Sequence, residues 1–337
     1  MLKTLTLFLF LALPWRASCH ESPVEILFIG NSFIHSYGMH GIVFKLAEAA
    51  GIPMDATLHY SEGKSVNYFI HDTACWNRIR SRQWDFIVIQ DNQRFYYDSL
   101  GKFDSLGYPS PILANNLKFQ DSIKKLIPCV QIVYLAGWEQ EGGIPARFPG
   151  DNTKKMLKRL LANYHYMNNL PGVHNIIAPV GVAWLSAIEH IPYLVKKPFN
   201  RNFLYDSDGR HPGWAGSYMA ACVVFSTIFH QSTLPLTNSS PFYKIRLDTM
   251  LKTCAWAAVL DSFSYSNLMK NTPQVWITNS TVFTTKDYSS YQWFEDKKLI
   301  TGANTYKYDI RNKESTYWVL AKDKHGCPSR SFPGKMP

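Results

Sequence analysis

The sequence predicts an α/β domain, in which helices cover both faces of a parallel sheet, followed by a small all-β domain. Over roughly the first 268 of the 337 residues, short apolar runs alternate with amphipathic segments, a pattern typical of a parallel sheet. Beyond that point the chain changes to short alternating runs separated by turns, as a β-sandwich requires. A composition of 46% apolar and 18% charged residues excludes a largely disordered chain.

The sequence indicates where the predicted strands and helices begin and end. The first strand, 24–29, is an apolar run that ends at Gly30. Apolar residues at helical spacing then predict a helix over 39–50, which Gly51 ends. Since parallel strands place ligands at their carboxyl ends, a site is expected in the loops that follow the strands. Further strands are predicted at 55–60, 84–89, 130–136 and 175–180, and further helices at 113–127, 152–169 and 213–229.

Residues 1–19 are predicted to be an export signal. Lys3 supplies the positive charge, the apolar run 5–13 is too short to span a bilayer in the mature protein, and Ala17-Ser18-Cys19 fits the small-residue cleavage pattern. Alternatively, Cys19 is the lipidated first residue of a bacterial lipoprotein, although Arg16 stands where such a signal prefers an aliphatic residue. We therefore expect an extracytoplasmic protein (periplasmic, secreted or outer-membrane associated), with no stable membrane insertion beyond a lipid anchor at Cys19.

Charge and aromatic content narrow the classes of partner. The net charge is +10, but the Lys and Arg residues are scattered, so nucleic-acid binding is not expected. Phe, Tyr and Trp make up 15% of the residues. This content suits stacking on sugar rings, and it fits an aromatic-rich core equally well.

The cysteines do not form a recognisable framework. Five follow the predicted cleavage site, with no CxxC pair, and an odd number argues against complete pairing. Cys129 and Cys222 lie in apolar segments and are expected to be buried thiols. A disulfide that includes Cys75 is an alternative, and the sequence does not assign its partner.

The first motif with chemical potential is Gly30-Asn31-Ser32, directly after the first strand. Glycine permits a tight turn, and the N-terminus of a following helix offers backbone N–H groups to an oxyanion. The alternative is an ordinary turn with a helix cap. No GxSxG sequence is present, so an α/β-hydrolase nucleophile elbow is not supported.

The second motif places Asp208 and His211 three residues apart, just before the predicted helix at 213–229. A nucleophilic serine needs a base, and the base needs a carboxylate that orients it. One loop can supply both groups. The alternative is that Asp208 is a turn residue and His211 a surface residue.

Together, the two motifs resemble those of the SGNH (GDSL-type) hydrolase superfamily over roughly residues 24–265. The resemblance implies a flavodoxin-like sheet and a triad of Ser32, Asp208 and His211. The Asp of the Gly-Asp-Ser form is replaced by Asn31, which leaves the nucleophile intact. Three further segments resemble those of a Bacteroidetes-like branch of the superfamily: 85–91, 178–184 and 211–218.

The same resemblance implies an oxyanion hole built from several blocks. The backbone N–H of Ser32 is one donor, and Gly63, after the second strand, best matches the second. The family's third block carries a Gly-x-Asn-Asp sequence, whose glycine is missing here. Either Gln90 or Asn92 could supply its carboxamide, and the unused amide would cap backbone groups.

Two tryptophans follow predicted strands at the same edge of the sheet. Trp138 and Trp184 are candidates for the wall of a substrate pocket, and core packing is an equal alternative for Trp184. The chain contains no HExxH motif and no convincing zinc spacing, so no metal and no cofactor are expected.

The tail resembles the small immunoglobulin-like modules of exported Bacteroidetes proteins, through segments 291–294, 299–303, 316–319 and 323–327. The resemblance implies a spacer, sorting or docking role. The predicted organisation is therefore a signal at 1–19, an SGNH hydrolase domain at 20–268 and an immunoglobulin-like sandwich at 269–337.

The favoured function is an exported serine esterase that removes O-acyl groups, above all O-acetyl groups, from carbohydrate. Its partner would be an acylated glycan or another small ester. One alternative is a lipase, lysophospholipase or thioesterase of the same fold. Another is a glycan-binding surface protein with a degenerate hydrolase domain, which Asn31 and the missing third-block glycine suggest.

Overall fold

The computed structural model describes residues 23–91, 111–138, 140–191, 204–237, 245–262, 272–296 and 298–335. The predicted signal 1–19 with Cys19, the candidate donor Asn92 and the predicted domain boundary at 268 lie outside these ranges.

The first domain is built on a parallel sheet with the strand order β2-β1-β3-β4-β5. This is the flavodoxin-like order, and the predicted fold class is confirmed. Most predicted strands begin or end within two residues of the observed ones. The strands are β1 Val24–Gly30, β2 Met54–Tyr60, β3 Phe86–Ile89, β4 Gln131–Leu135 and β5 Ile176–Ala178.

Helices connect these strands and cover the sheet. The four predicted helices correspond to α2, α5, α6 and α8, whereas α4, α7 and α9 were not predicted. Helix α7 could not be recognised from the sequence, because it starts at Val180, where the apolar run that contains β5 ends. No helix in the described ranges is long and apolar enough to cross a membrane. The helices are α1 Ser32–His35, α2 Met39–Ala50, α3 Val66–Phe69, α4 Thr73–Arg80, α5 Pro111–Leu126, α6 Thr153–Asn168, α7 Val180–His190, α8 Trp214–Phe229 and α9 Ile245–Asp261, with a 3-10 turn at Ser36–Gly38.

The apolar core forms one layer on each face of the sheet. In β1, Ile26 and Phe28 pack in the layer that contains α2, α7, α8 and α9, while Leu27 and Ile29 pack in the layer of α4, α5 and α6. A strand that is buried on both faces has a nearly continuous apolar sequence, and this is why the sequence predicts β1. Helix α8 is buried along almost its whole length.

The C-terminal domain is antiparallel, as predicted. One sheet has the order β10-β7-β6, and the other β12-β11-β8-β9 with β13 paired to β11. Val282 of the first sheet and Trp293 and Tyr317 of the second share one small core. The strands are β6 Val275–Thr278, β7 Thr281–Thr284, β8 Ser290–Glu295, β9 Lys298–Leu299, β10 Lys307–Asp309, β11 Thr316–Lys322, β12 Pro328–Arg330 and β13 Gly334–Lys335.

A disulfide between Cys129 and Cys327 joins the two domains. The expectation that Cys129 is a buried thiol was therefore wrong, because its partner lies 198 residues away in sequence and spacing could not reveal it. Cys222 is a buried free thiol as expected, and Cys75 is buried and unpaired. Cys129 precedes β4, so the bond lies at the amino end of the parallel sheet, opposite the end at which Gly30 lies.

An aromatic contact reinforces this junction. Phe332 of the C-terminal domain stacks on His230, which caps α8, with 4.0 Å between ring centroids and an interplanar angle of 11°. Burial and, to a smaller extent, the nearby Arg330 lower the pKa of His230 to about 3. The ring is therefore neutral at physiological pH and packs as an apolar group.

Replacing Cys327 with Ser should lower the free energy of unfolding by about 2–4 kcal/mol, because the bond closes a long loop of the unfolded chain. Urea unfolding measures this change. Cys129→Ser should have the same effect, and the double variant should lose no more than either single variant, since all three remove one bond. Additive losses would contradict a shared disulfide.

Candidate active site

Ser32 is the first residue of α1, directly after the sharp turn that ends β1. Asn31 caps the helix: its Oδ1 accepts a hydrogen bond from the backbone N–H of Phe33 at 3.1 Å. The Asn31 side chain also donates through Nδ2 to the carbonyl of Lys64, at 2.8 Å. Asn31 is 1% exposed. Its amide thus connects the turn after β1 to the turn after β2.

Gln90, at the end of β3, holds the same turn from the other side. Its Oε1 accepts the backbone N–H of Asn31 at 3.0 Å, and its Nε2 donates to the carbonyl of Asp91. A backbone N–H can only donate and a carbonyl can only accept, so the two partners fix the orientation of the amide. This geometry favours the capping alternative for Gln90 over the oxyanion alternative.

Gly63 lies in the turn that Asn31 holds. Its φ of +65° is in the left-handed region, which glycine adopts without strain. The N–H of Ser61 donates to the carbonyl of Gly30 at 3.1 Å, which joins the start of this turn to the end of β1. The turn is therefore fixed beside Ser32, where the resemblance places a second oxyanion donor.

The second half of the site is a closed loop before α8. Asp208 accepts through Oδ1 from the backbone N–H groups of Arg210 and His211, both at 2.9 Å. Its Oδ2 accepts from Nδ1 of the His211 ring at 2.5 Å. Trp138 donates from Nε1 to the carbonyl of Arg210 at 2.8 Å. The loop consequently presents the imidazole in one orientation.

The two halves meet at Ser32 and His211. The distance from His211 Nε2 to Ser32 Oγ is 2.9 Å, across 179 residues of sequence. An ionised carboxylate only accepts, so Asp208 assigns the proton to Nδ1 and leaves Nε2 free to accept from the serine hydroxyl. The structure thus brings together the three residues that the two motifs predicted, in the order nucleophile, base and orienting carboxylate.

The electrostatics of Asp208 agree with that arrangement. Desolvation raises the pKa of its carboxyl, but the hydrogen bonds from the His211 ring and from the backbone N–H groups of His211 and Arg210 outweigh it. The net effect lowers the pKa to about 2. The carboxylate is therefore ionised over the whole range in which a histidine base functions.

Aromatic rings pack against the imidazole ring of His211 and beneath it in the core. The ring of Phe33 stacks on His211, with centroids 4.9 Å apart, and packs against Trp138 at 5.3 Å. Trp138 stacks in turn on Trp184 at 4.4 Å. Both tryptophans are 0% exposed. The expectation that Trp138 walls a substrate pocket is corrected, and of the two alternatives for Trp184 the structure supports core packing: both rings form the buried support of the loop that carries His211.

Two contributors to this geometry are not evident from the sequence motifs. The motifs show Asn31 only as a replacement for the family's Asp or as part of a helix cap, whereas its side chain joins two turns. Phe33 stacks on His211, and its one sequence signal is an aromatic residue directly after the candidate nucleophile. In the described ranges, no group of three or more His, Cys, Asp or Glu side chains is arranged to hold a metal ion.

Comparison with solved structures finds this fold in a DUF4886 family protein from Bacteroides uniformis, with a TM-score of 0.56 and 18% sequence identity over 74% of this chain and 99% of that chain. A GDSL-like lipase from Parabacteroides merdae is similar at a TM-score of 0.44 and 14% identity, over 61% and 94% of the two chains. An acetylxylan esterase from Geobacillus stearothermophilus is similar at 0.42 and 15%, over 60% and 93%. No family model and no curated protein matches the sequence.

The first domain thus has the α/β fold of the DUF4886 family protein, with the flavodoxin-like strand order, and an antiparallel β domain follows it. The strand order, the serine after β1 and the Asp-His loop before α8 agree with the resemblance to SGNH hydrolases that the motifs indicate.

Gly30→Ala should disrupt the turn, because the added Cβ would lie 2.8 Å from Gln90 Oε1 and 2.9 Å from Ile34 Cγ2. We expect a loss of about 1–3 kcal/mol in the free energy of unfolding and reduced reactivity of Ser32. Gly41→Ala is the matched control, since its Cβ meets nothing within 4 Å in helix α2, and it should be neutral or stabilising. Equal behaviour of the two variants would show that close packing at Gly30 is unimportant.

Proposed function

We propose that this protein is an exported serine esterase that hydrolyses O-acyl esters, in particular O-acetyl esters of carbohydrate. The observation that carries the proposal is the pair of contacts at the imidazole. Nε2 lies 2.9 Å from Ser32 Oγ, while Nδ1 is held by Asp208. Such an arrangement activates a hydroxyl that is otherwise a weak nucleophile.

In the proposed reaction, Ser32 Oγ attacks the ester carbonyl carbon and its proton passes to His211 Nε2. The Asp208 carboxylate stabilises the resulting imidazolium without taking the proton. When the C–O bond to the alcohol breaks, the imidazolium returns this proton to the departing oxygen. Water then attacks the acyl-serine, with His211 again as the base, and releases the carboxylic acid and the free serine.

The negative oxygen of the tetrahedral intermediate needs donors. We assign this role to the backbone N–H groups of Ser32 and Gly63, which lie in the two turns that Asn31 joins. Among the described hydrogen bonds, none uses the Ser32 N–H. Loss of one such donor typically costs on the order of 10²–10³ in turnover. Asn92 stays the candidate for a third donor.

The surroundings of Ser32 support a small acyl group and a polar alcohol. The turn beside it, residues 61–65, consists of Ser, Glu, Gly, Lys and Ser, of which the central three are exposed. A polar rim of this kind solvates a sugar better than a long acyl chain. The disulfide between Cys129 and Cys327 supports export, because such bonds persist in oxidising compartments.

A non-catalytic glycan-binding protein is the alternative of a different class. It was suggested by Asn31 in place of the family's Asp and by the missing third-block glycine. In this structure the Asn31 side chain makes two hydrogen bonds that shape the turn, and its backbone N–H makes a third. The substitution is thus compatible with a working nucleophile, and we favour the enzyme.

Ser32→Ala should abolish both hydrolysis of p-nitrophenyl acetate and labelling by a fluorophosphonate probe, with a fall in turnover on the order of 10⁶-fold. Peptide mapping of the labelled protein should identify Ser32. Ser36→Ala is the matched control, because Ser36 contacts α8 through its backbone carbonyl rather than its hydroxyl. A well-folded protein that resists labelling would exclude the esterase and turn attention to glycan binding.

Hydrolysis of p-nitrophenyl esters should fall steeply from acetate to butyrate to octanoate, because the polar rim offers little apolar surface to a longer chain. The ratio of kcat/KM values along this series is the measurement. A rise with chain length would favour the lipase, lysophospholipase or thioesterase alternative over the deacetylase.

A further inference from the structure

Two exposed aromatic residues follow the proposed nucleophile and base closely in sequence. Tyr37 lies five residues after Ser32, in the 3-10 turn, and Trp214 lies three residues after His211, at the start of α8. Tyr37 is 39% exposed and Trp214 is 49% exposed. Their ring centroids are 5.5 Å apart with an interplanar angle of 47°. The two rings therefore form an exposed, angled apolar surface on the segments that directly follow Ser32 and His211, which we call the aromatic pair.

The backbone beneath the aromatic pair is fixed. The hydroxyl of Ser217, on the first turn of α8, donates to the carbonyl of Ser36 at 3.2 Å. This contact joins the segment that carries Tyr37 to the helix that carries Trp214. The position of one ring relative to the other is thus set by the same two segments that bring Ser32 to His211.

Tyr37 is held in an unusual backbone conformation. Its φ of +56° lies in the left-handed region, which a bulky residue rarely adopts, and Gly38 follows at +64°. Core packing does not account for the tyrosine, because it is 39% exposed and belongs to none of the apolar core clusters. A strained, exposed residue next to a reactive group is characteristic of a binding role.

We propose that the aromatic pair is a subsite that stacks on a pyranose ring of the acylated substrate and so places the ester on Ser32; this inference rests on the proposed esterase function. The face of an aromatic ring is electron-rich and attracts the polarised C–H groups on one face of a sugar. The sugar hydroxyls then point to water or to the polar turn at 61–65. An acyl chain has no such polar edge, and a pair of isolated rings offers it little burial.

The test compares one small ester with esters on sugars. The substrates are p-nitrophenyl acetate, which reports the chemistry alone, and chemically acetylated xylo-, cello- and manno-oligosaccharides. The loss variants are Tyr37→Gly, which accepts the left-handed φ without strain, and Trp214→Ala. Tyr37→Phe and Trp214→Phe keep an aromatic ring. Trp276→Ala is the control, since Trp276 is equally exposed (46%) and stacks on Phe283 in the other domain.

For the best oligosaccharide, we expect each loss variant to lower kcat/KM relative to that for p-nitrophenyl acetate by about tenfold, mostly through KM. The two Phe variants and the Trp276 variant should keep the wild-type ratio. An unchanged ratio in the loss variants would overturn the subsite, as would a wild-type enzyme that cleaves p-nitrophenyl acetate but none of the oligosaccharides. Failure of the wild type on p-nitrophenyl acetate would instead overturn the proposed function, and the subsite with it.

Discussion

The hydrogen bond from the Asn31 backbone to the Gln90 side chain is the contact on which the site depends. It forms only because Gly30 lets the Gln90 amide approach the end of β1, where a Cβ would lie 2.8 Å from Oε1. The Asn31 side chain extends the connection to Lys64. The carboxyl ends of the three adjacent strands β2, β1 and β3 are thus joined through one residue, directly before Ser32.

The other half of the site is built from a different kind of contact. Phe33, Trp138 and Trp184 form a column of rings that supports His211 by packing, while the Trp138 indole fixes the carbonyl of Arg210. Hydrogen bonds thus hold the turn before Ser32, whereas His211 is held both by its hydrogen bonds with Asp208 and by buried aromatic surface. Some of the many aromatic residues therefore pack in the core, which was one of the two interpretations of the composition. Others, among them Tyr37 and Trp214, are exposed.

The sheet, the helices α2, α5, α6 and α8 and the positions of Ser32, Asp208 and His211 could be predicted because their signals are local. Residues 26–29 of β1 form an unbroken apolar run, and Gly30-Asn31-Ser32 and the stretch from Asp208 to Pro212 are each visible in one segment of chain. Contacts over long sequence distances could not be predicted in this way: Cys129 gives no sign of Cys327, and nothing local shows that Trp138 and Trp184 lie behind His211 rather than in front of it. Gln90 was found, but whether its amide points to backbone or to substrate depends on partners that only the fold brings together.

The C-terminal domain is attached to the first domain at one particular end of the parallel sheet. The disulfide and the contact between Phe332 and His230 attach this domain at the amino end of the sheet, because Cys129 precedes β4 and His230 ends α8. Helix α8 begins three residues after His211 and is capped at its C-terminus by His230. Its N-terminus therefore lies at the site, and its C-terminus lies at the junction with the C-terminal domain. The second domain is thus attached at the end of the sheet opposite the end at which Ser32 lies.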